Sequence, residues 1–261
     1  MSGKPKVAFF EFTSCEGCQL TVVDTLQNHP DLLNVIDIVE FREASSDKAQ
    51  DGYDIAFIEG SCTRPGDEAK IKEIRETASI VVALGACAHL GGVNAIRNRM
   101  PLQDVREYVY QEKADWFDTY EPRPIEAVVE VDAFIPGCPI DREEFVKAVK
   151  HLLQGRMPKL ADYPMCIECK LAGNVCVYKR GKTCLGPVTR AGCDAICPAY
   201  GYGCEGCRGL VPGQNVNLES MKDVLRENGM SDEDIDAKLS IFLTYQLMEL
   251  EGKAPNVTLE N

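Results

Sequence analysis

The sequence predicts an α/β fold, a doubly wound parallel sheet followed by a smaller, irregular, cysteine-bound C-terminal domain. Three observations carry the prediction. Between residue 6 and about residue 155, β-rich apolar runs alternate with amphipathic helical stretches, the pattern of parallel strands joined by helical crossovers. After Met157-Pro158 that periodicity stops, and a Gly-, Pro- and Cys-rich coil runs to about Gly213. Eight of the thirteen cysteines crowd into this coil, between Cys166 and Cys207.

Lys6–Phe12 reads as the first strand, followed by a helix that begins near Cys18. Val35–Phe41, Asp54–Glu59 and Ser79–Gly85 read as strands two to four. Pro65–Thr77, with apolar or small positions Ala69, Ile71 and Ile74, is the crossover helix between the third and fourth. Ala133–Gly137 is a short fifth strand. The helix after it, Asp141–Leu153, is capped by Asp141 and ended by Gly155. This order resembles a flavodoxin-like sheet. Beyond the coil, Leu218–Glu227 reads as a helix closed by Gly229. A second helix starts at Ser231, with Asp234 as capping partner, and runs to about Glu249. Its apolar face of Ile235, Leu239, Phe242 and Tyr245 suits docking on the main domain. The expected domains are 1–157, 158–213 and an acidic helical tail, 214–261.

The net charge of −13 argues against a nucleic-acid partner, because phosphate backbones are held by clustered Lys and Arg. Part of that charge is local, ten acids against four bases from Asn215 onward. No apolar run approaches the roughly 18–20 residues that span a bilayer. The opening MSGKPK runs straight into a strand with neither signal peptide nor twin-arginine leader, so a cytoplasmic location is expected. Asn256-Val257-Thr258 matches a glycosylation sequon that this location makes irrelevant.

The dense cysteines are spaced Cys166-x2-Cys169-x6-Cys176-x7-Cys184-x8-Cys193-x3-Cys197-x6-Cys204-x2-Cys207. A 4Fe-4S cluster takes four thiolates, and short loops let the backbone wrap it, so eight close cysteines suit two clusters. Zinc also accepts four thiolates, and disulfides are the third alternative. Disulfides fit a reducing compartment and an odd cysteine count badly. The coil cannot fold on hydrophobic burial alone, so loss of its metal should unfold it.

Four further cysteines share one structural position. Cys15 and Cys18 follow the first strand, Cys87 the fourth and Cys138 the fifth. In an open parallel sheet these loops meet at the carboxyl edge, where α/β folds bind ligands, although 123 positions separate Cys15 from Cys138. Cys15 and Cys18 alone would suit a thioredoxin-like redox pair, but the matching positions of Cys87 and Cys138 favour a cluster. Cys62, at the end of the third strand, is read as a buried bystander. Gly201-Tyr202-Gly203-Cys204-Glu205-Gly206 matches GxGxxG without a flanking strand or helix, and reads as a cluster loop rather than a dinucleotide site. His29, His89 and His151 read as surface or loop residues. Trp116, with Tyr108, Tyr110, Phe117 and Tyr120, reads as a satellite core or an interface patch.

Several motifs taken together resemble the small subunits of nickel–iron hydrogenases, in particular the cytoplasmic, three-cluster type of sulfhydrogenases. They are Thr13-Ser14-Cys15-Glu16-Gly17-Cys18-Gln19, Ile58-Glu59-Gly60-Ser61, Gly85-Ala86-Cys87-Ala88-His89-Leu90-Gly91-Gly92, Gly137-Cys138-Pro139, Cys184-Leu185-Gly186-Pro187-Val188-Thr189-Arg190-Ala191-Gly192-Cys193 and Cys204-Glu205-Gly206-Cys207-Arg208-Gly209. The resemblance implies three 4Fe-4S clusters: proximal on Cys15, Cys18, Cys87 and Cys138, medial on Cys193, Cys197, Cys204 and Cys207, and distal on Cys166, Cys169, Cys176 and Cys184. Cys166 stands where periplasmic relatives use histidine, and Cys197 where they commonly have proline and a three-iron cluster. The implied partners are a large subunit carrying the nickel–iron site and further iron–sulfur or flavin subunits. This chain would conduct electrons and carry no hydrogen-activating chemistry. Glu16 reads either as a stop on a proton route or as a solvated or capping residue.

Overall fold

A computed structural model describes residues 3–213 and 216–255. The sequon at Asn256 lies outside the described residues. The sheet comprises β1 (Lys6–Glu11), β2 (Asp37–Phe41), β3 (Ile55–Glu59), β4 (Ile80–Leu84) and β5 (Ala133–Ile135). All pairings are parallel and the order is β2-β1-β3-β4-β5, the doubly wound flavodoxin-like order. The strands are shorter than the apolar runs because their flanks do other work. Asp54 and Asp132 turn their carboxylates onto the Lys6 and Val81 amides, at 2.7 Å each.

The helices in chain order are α1 (Gly17–Asn28), α2 (Pro65–Thr77), α3 (Gly85–Leu90), α4 (Leu102–Tyr110), α5 (Arg142–Leu153), α6 (Cys166–Leu171), α7 (Ile196–Ala199), α8 (Leu218–Glu227) and α9 (Asp232–Leu250). Alternating strand residues feed two cores. On one face Phe9, Phe57, Leu84 and Ile135 meet Val22 of α1 and Phe145 of α5, with the Phe9 ring stacked on Phe41 at 4.4 Å and on Phe57 at 5.0 Å. On the other, Ala8, Ile58, Val81 and Ala83 meet Ile71 and Ile74 of α2. The expected caps form: Asp141 accepts from the Glu144 amide at 2.8 Å, and Ser231 from the Asp234 amide at 3.1 Å.

The tail lies against the main domain. α9 contacts α3 and the 3-10 turn Gly92–Arg99, and buries Ile235, Leu239, Leu243 and Leu247 against Leu185 and Val188 of the coil and Met221 and Leu225 of α8. Tyr245 is buried as expected, whereas Phe242 is half-buried and lines a cavity beside the coil. α4 is an element that sequence periodicity did not reveal, and it buries none of its residues. Tyr110 and Phe117 stack at 3.9 Å, but Tyr108 and Trp116 stand exposed, so these aromatics form no satellite core.

Candidate functional site

The carboxyl edge of the sheet gathers the first set of cysteines. Cys18 lies in the first turn of α1, Cys87 in α3 directly after β4, and Cys15 and Cys138 on exposed loops after β1 and β5. The four thiols lie close enough to disfavour one another's ionisation, Cys18 with Cys87 and Cys138, and Cys87 and Cys138 with Cys15. Burial pushes the Cys18 thiol far up and the Cys87 thiol up to about 12.

Backbone approach at this edge depends on glycine. Gly85 has φ +83° and joins β4 to α3, and a Cβ there would lie 2.3 Å from Cys18 Sγ. A Cβ on Gly92, φ +56°, would lie 2.9 Å from Cys87 Sγ. Any side chain larger than hydrogen would collide at either position.

The coil holds two more groups. Cys166 is raised to about 11 by burial and then by Cys184, Cys169 and Cys176. A Cβ on Gly186 would sit 3.2 Å from Cys166 Sγ and 3.3 Å from Cys184 Sγ. Cys207, raised to about 12 by burial, senses Cys193 and Cys197, and Cys204 senses Cys207. Cys193, Cys197, Cys204 and Cys207 line one cavity of about 660 Å³ with Cys138 of the first group. Two contacts tie the groups together. The Cys138 backbone hydrogen-bonds to the Cys207 thiol, and the Cys204 amide donates to Cys184 Sγ at 3.1 Å.

Among the described residues, no three His, Cys, Asp or Glu side chains close tightly enough to hold one metal ion. The thiols gather at the sheet edge and in the coil, and donors that are all sulfur, with glycine backbone against several of them, suit iron–sulfur clusters.

Two charged residues hold this arrangement, and only their motifs, not their roles, were visible in the sequence. Glu59, at the end of β3, is buried and accepts from the Cys18 and Gln19 amides at 3.1 and 2.9 Å, so it caps α1 from 41 positions away. Burial raises its carboxyl above the usual range. Arg208 is 1% exposed and donates a two-pronged bond to Glu144 of α5, at 2.7 and 2.6 Å. It also donates to the Pro136 carbonyl at 2.9 Å and the Ala191 carbonyl at 2.8 Å. This one guanidinium thereby joins the β5 loop, α5 and the coil.

The remaining candidates fall outside the thiol sets. Cys62 is fully buried, and its thiol meets the Tyr120 hydroxyl at 2.9 Å, in keeping with the bystander reading. Glu16 sits at the α1 N-cap with φ 61° and makes no side-chain cap bond, which leaves it exposed. His151 is exposed and His29 is half-buried. His89 departs from expectation: it is buried in α3 against the Phe134 ring at 4.5 Å, and burial with nearby Arg190 and Arg208 lowers its pKa to about 3. The GxGxxG stretch opens no helix; the next, α8, begins only at Leu218. A Cβ on Gly203 would lie 1.9 Å from the Thr183 carbonyl, so this glycine serves backbone packing.

Comparison with known proteins places this geometry in a family. The family described as NADH ubiquinone oxidoreductase, 20 Kd subunit, matches residues 15–152, which include Cys15, Cys18, Cys87 and Cys138. Similarity to hydrogenase subunits extends through the coil. Sulfhydrogenase 2 subunit delta of Pyrococcus furiosus is 37% identical over 92% of this chain and 100% of its own length. A subunit of the F420-non-reducing hydrogenase vhu of Methanocaldococcus jannaschii is 32% identical over 93% of this chain and 94% of its own. Among solved structures, an NAD+-reducing [NiFe]-hydrogenase in the H2-reduced state is 26% identical, with a TM-score of 0.53 over 60% of this chain and 95% of the matched one. A Ni-Fe-Se hydrogenase from Desulfomicrobium baculatum, 15% identical with a TM-score of 0.52 over 84% of this chain and 98% of its own, shares the fold. The chain thus belongs to the NADH ubiquinone oxidoreductase 20 Kd subunit family and, within it, to the delta-type small subunits of nickel–iron hydrogenases, oxidoreductases that act on dihydrogen.

Proposed function

We propose that this chain is the electron-conducting subunit of a cytoplasmic nickel–iron hydrogenase and holds three 4Fe-4S clusters. Cys15, Cys18, Cys87 and Cys138 hold the proximal one, Cys193, Cys197, Cys204 and Cys207 the medial, and Cys166, Cys169, Cys176 and Cys184 the distal. The observation that supports the reading is the convergence of these thiols: Cys15, Cys18, Cys87 and Cys138 influence one another, Cys166 feels Cys184, Cys169 and Cys176, Cys207 feels Cys193 and Cys197, and Cys204 feels Cys207. When bound, such clusters supply reversible one-electron transfer at potentials set by hydrogen bonds and exposure. Dihydrogen activation belongs to a nickel-bearing large subunit.

This chain's residues do the holding. Burial keeps Cys87, Cys166 and Cys207 protonated in the metal-free protein, so loading iron displaces their protons. Glu59 fixes the turn that presents Cys18, and Arg208 fixes the loop that presents Cys207. Gly85 and Gly186 keep side-chain bulk away from Sγ atoms. The cytoplasmic placement rests on the cysteines, all thirteen of which are free thiols. No described helix is long and apolar enough to cross a membrane.

The test is metal analysis of the complex, purified anaerobically through a tag on this chain. About twelve irons and about twelve sulfides per chain, with nickel on a co-purifying subunit, are expected. Stoichiometric zinc without sulfide would overturn the reading. Iron and sulfide without nickel would keep electron conduction and move the complex towards a quinone-linked oxidoreductase.

A further inference from the structure

The cavity that Cys193, Cys197, Cys204 and Cys207 line is also lined by five charged residues, Asp24, Asp141, Arg142, Glu205 and Arg208. Asp24, Asp141, Arg142 and Glu205 are half-buried or exposed, so water and salt weaken their fields. Arg208 alone is buried. A charge enclosed in this way acts through a lower dielectric and reaches further.

Its guanidinium lies against the backbone that carries Cys193. A Cβ on Gly192, φ +115°, would stand 2.9 Å from Arg208 Cζ and 3.1 Å from Glu144 Oε1. Arg208 Nε donates to the Ala191 carbonyl at 2.8 Å, and Cys207 is the preceding residue. The chain therefore wraps this cation between two thiols of one set.

Those thiols face the cation rather than its carboxylate partner. Burial disfavours the guanidinium charge, and Glu144, then Cys193 and Cys207, more than restore it. Burial raises the Cys193 thiol, while its backbone bond and the Arg208 charge oppose the rise. The main influences on Glu144 are burial, Arg208, Asp141 and Glu168.

We infer that Arg208 sets the reduction potential of the Cys193, Cys197, Cys204 and Cys207 site, holding it above the value the thiols alone would give, with Glu144 as a partial counterweight. The inference rests on the cluster reading above. A thiolate-held cluster gains one negative charge when it accepts one electron from the proximal site, and no bond forms or breaks. A fixed cation beside it favours the reduced form. One unit charge roughly 10 Å away, at an effective dielectric of about 20, shifts such an equilibrium about tenfold. Arg208 touches no reacting atom and acts through space, as a positioning residue for the electron.

The test is a redox titration followed by electron paramagnetic resonance, on the complex purified anaerobically through a tag on this chain. Parent and variants all carry Cys197→Pro, which marks the medial site with a three-iron signal and keeps both thiols beside Arg208. Glu144→Gln removes the counterweight and should raise the three-iron midpoint. The double variant Arg208→Gln, Glu144→Gln removes both charges and should lower it, by about tenfold in the reduction equilibrium or about 59 mV for one electron. Arg208→Lys keeps the charge and should stay nearer the parent than the double variant does. Opposite signs separate charge from structure, because a coil that merely loosened would admit water around the cluster and move both variants the same way. Unmoved midpoints, or shifts of one sign in both variants, would overturn the inference. Equal movement of the four-iron signals of the other two sites would do the same. Glu144→Gln keeps the shape of the pair and decides alone if the double variant does not assemble: a midpoint that falls or stays put sinks the idea. Iron and sulfide counts on the same preparations keep the two readings apart. A full cluster complement with unmoved midpoints removes this inference alone, whereas zinc without sulfide, or no three-iron signal, removes the ligand assignment and this inference with it.

Discussion

Truncation of Glu144 to alanine gives the sharpest test of how the coil is held. Arg208 is 1% exposed, and three acceptors share its donors: the Pro136 carbonyl, the Ala191 carbonyl and the Glu144 carboxylate. Removing Glu144 leaves the two backbone bonds intact and strands the positive charge. Losing one partner of a buried ion pair costs about 3–5 kcal/mol. The Glu144 side chain is 21% exposed, so water can enter once it is shortened, and the lower end, about 3 kcal/mol, is expected. The exposed pair Arg226–Asp223 sets the contrast, and its removal should leave stability nearly unchanged.

Native-state amide exchange reads the effect segment by segment. Arg190, Leu185 and Val211 donate backbone bonds within the coil, to Gly209, Cys204 and Val188. Their exchange should accelerate about 100-fold in Glu144→Ala, the equivalent of about 3 kcal/mol, while amides of β1 and β3 keep their rates. The double variant Glu144→Leu, Arg208→Met removes the charge with its partner and should cost less than Glu144→Ala alone. Coil exchange within about twofold of the parent in Glu144→Ala would refute the idea that this pair anchors the segment.

Three further outcomes are expected. Gly85→Ala places a methyl 2.3 Å from Cys18 Sγ at φ +83°, and should cost about four irons per chain with the other eight retained; a full iron count would refute the close approach. Cys197→Pro, in the first turn of α7 where a proline displaces no intrahelical bond, should turn the medial site into a three-iron cluster; an unchanged four-iron resonance signal would refute the ligand assignment. Burial raises the Cys62 thiol to about 11, so the folded state keeps a proton that the unfolded chain loses from about pH 8.5. Its contribution is complete below that pH and is lost as pH rises towards 11, so stability should decline across this window more steeply in the parent than in Cys62→Ala, measured by denaturant unfolding; identical slopes would remove Cys62 as the cause.

Local chemistry was legible in the sequence wherever it acts over a few residues. Pro65–Thr77 and Leu218–Glu227 match helices at both ends, helped by short-range signals: Pro65 at the first turn of one and Gly229 just after the other. The caps of Asp141 and Ser231 were readable for the same reason. α4 was not: Leu102, Val105 and Val109 do recur at helical spacing, but the stretch is short and buries none of its residues.

By itself, then, the sequence determined the class of sheet and the supply of thiols in the coil, because side-chain alternation and cysteine spacing are written along the chain. Packing alone decided the rest. His89 is buried where Phe134 of β5, 45 positions later, and Arg190 and Arg208 of the coil, more than 100 positions later, come up to it. Glu59 reaches the start of α1 from 41 positions away, and Arg208 finds Glu144 across 64. Whether a charged or titratable side chain is exposed or enclosed depends on which distant elements cover it, and burial of a charge is tolerated only where those elements bring a partner of opposite charge or a ring of hydrogen-bonding groups.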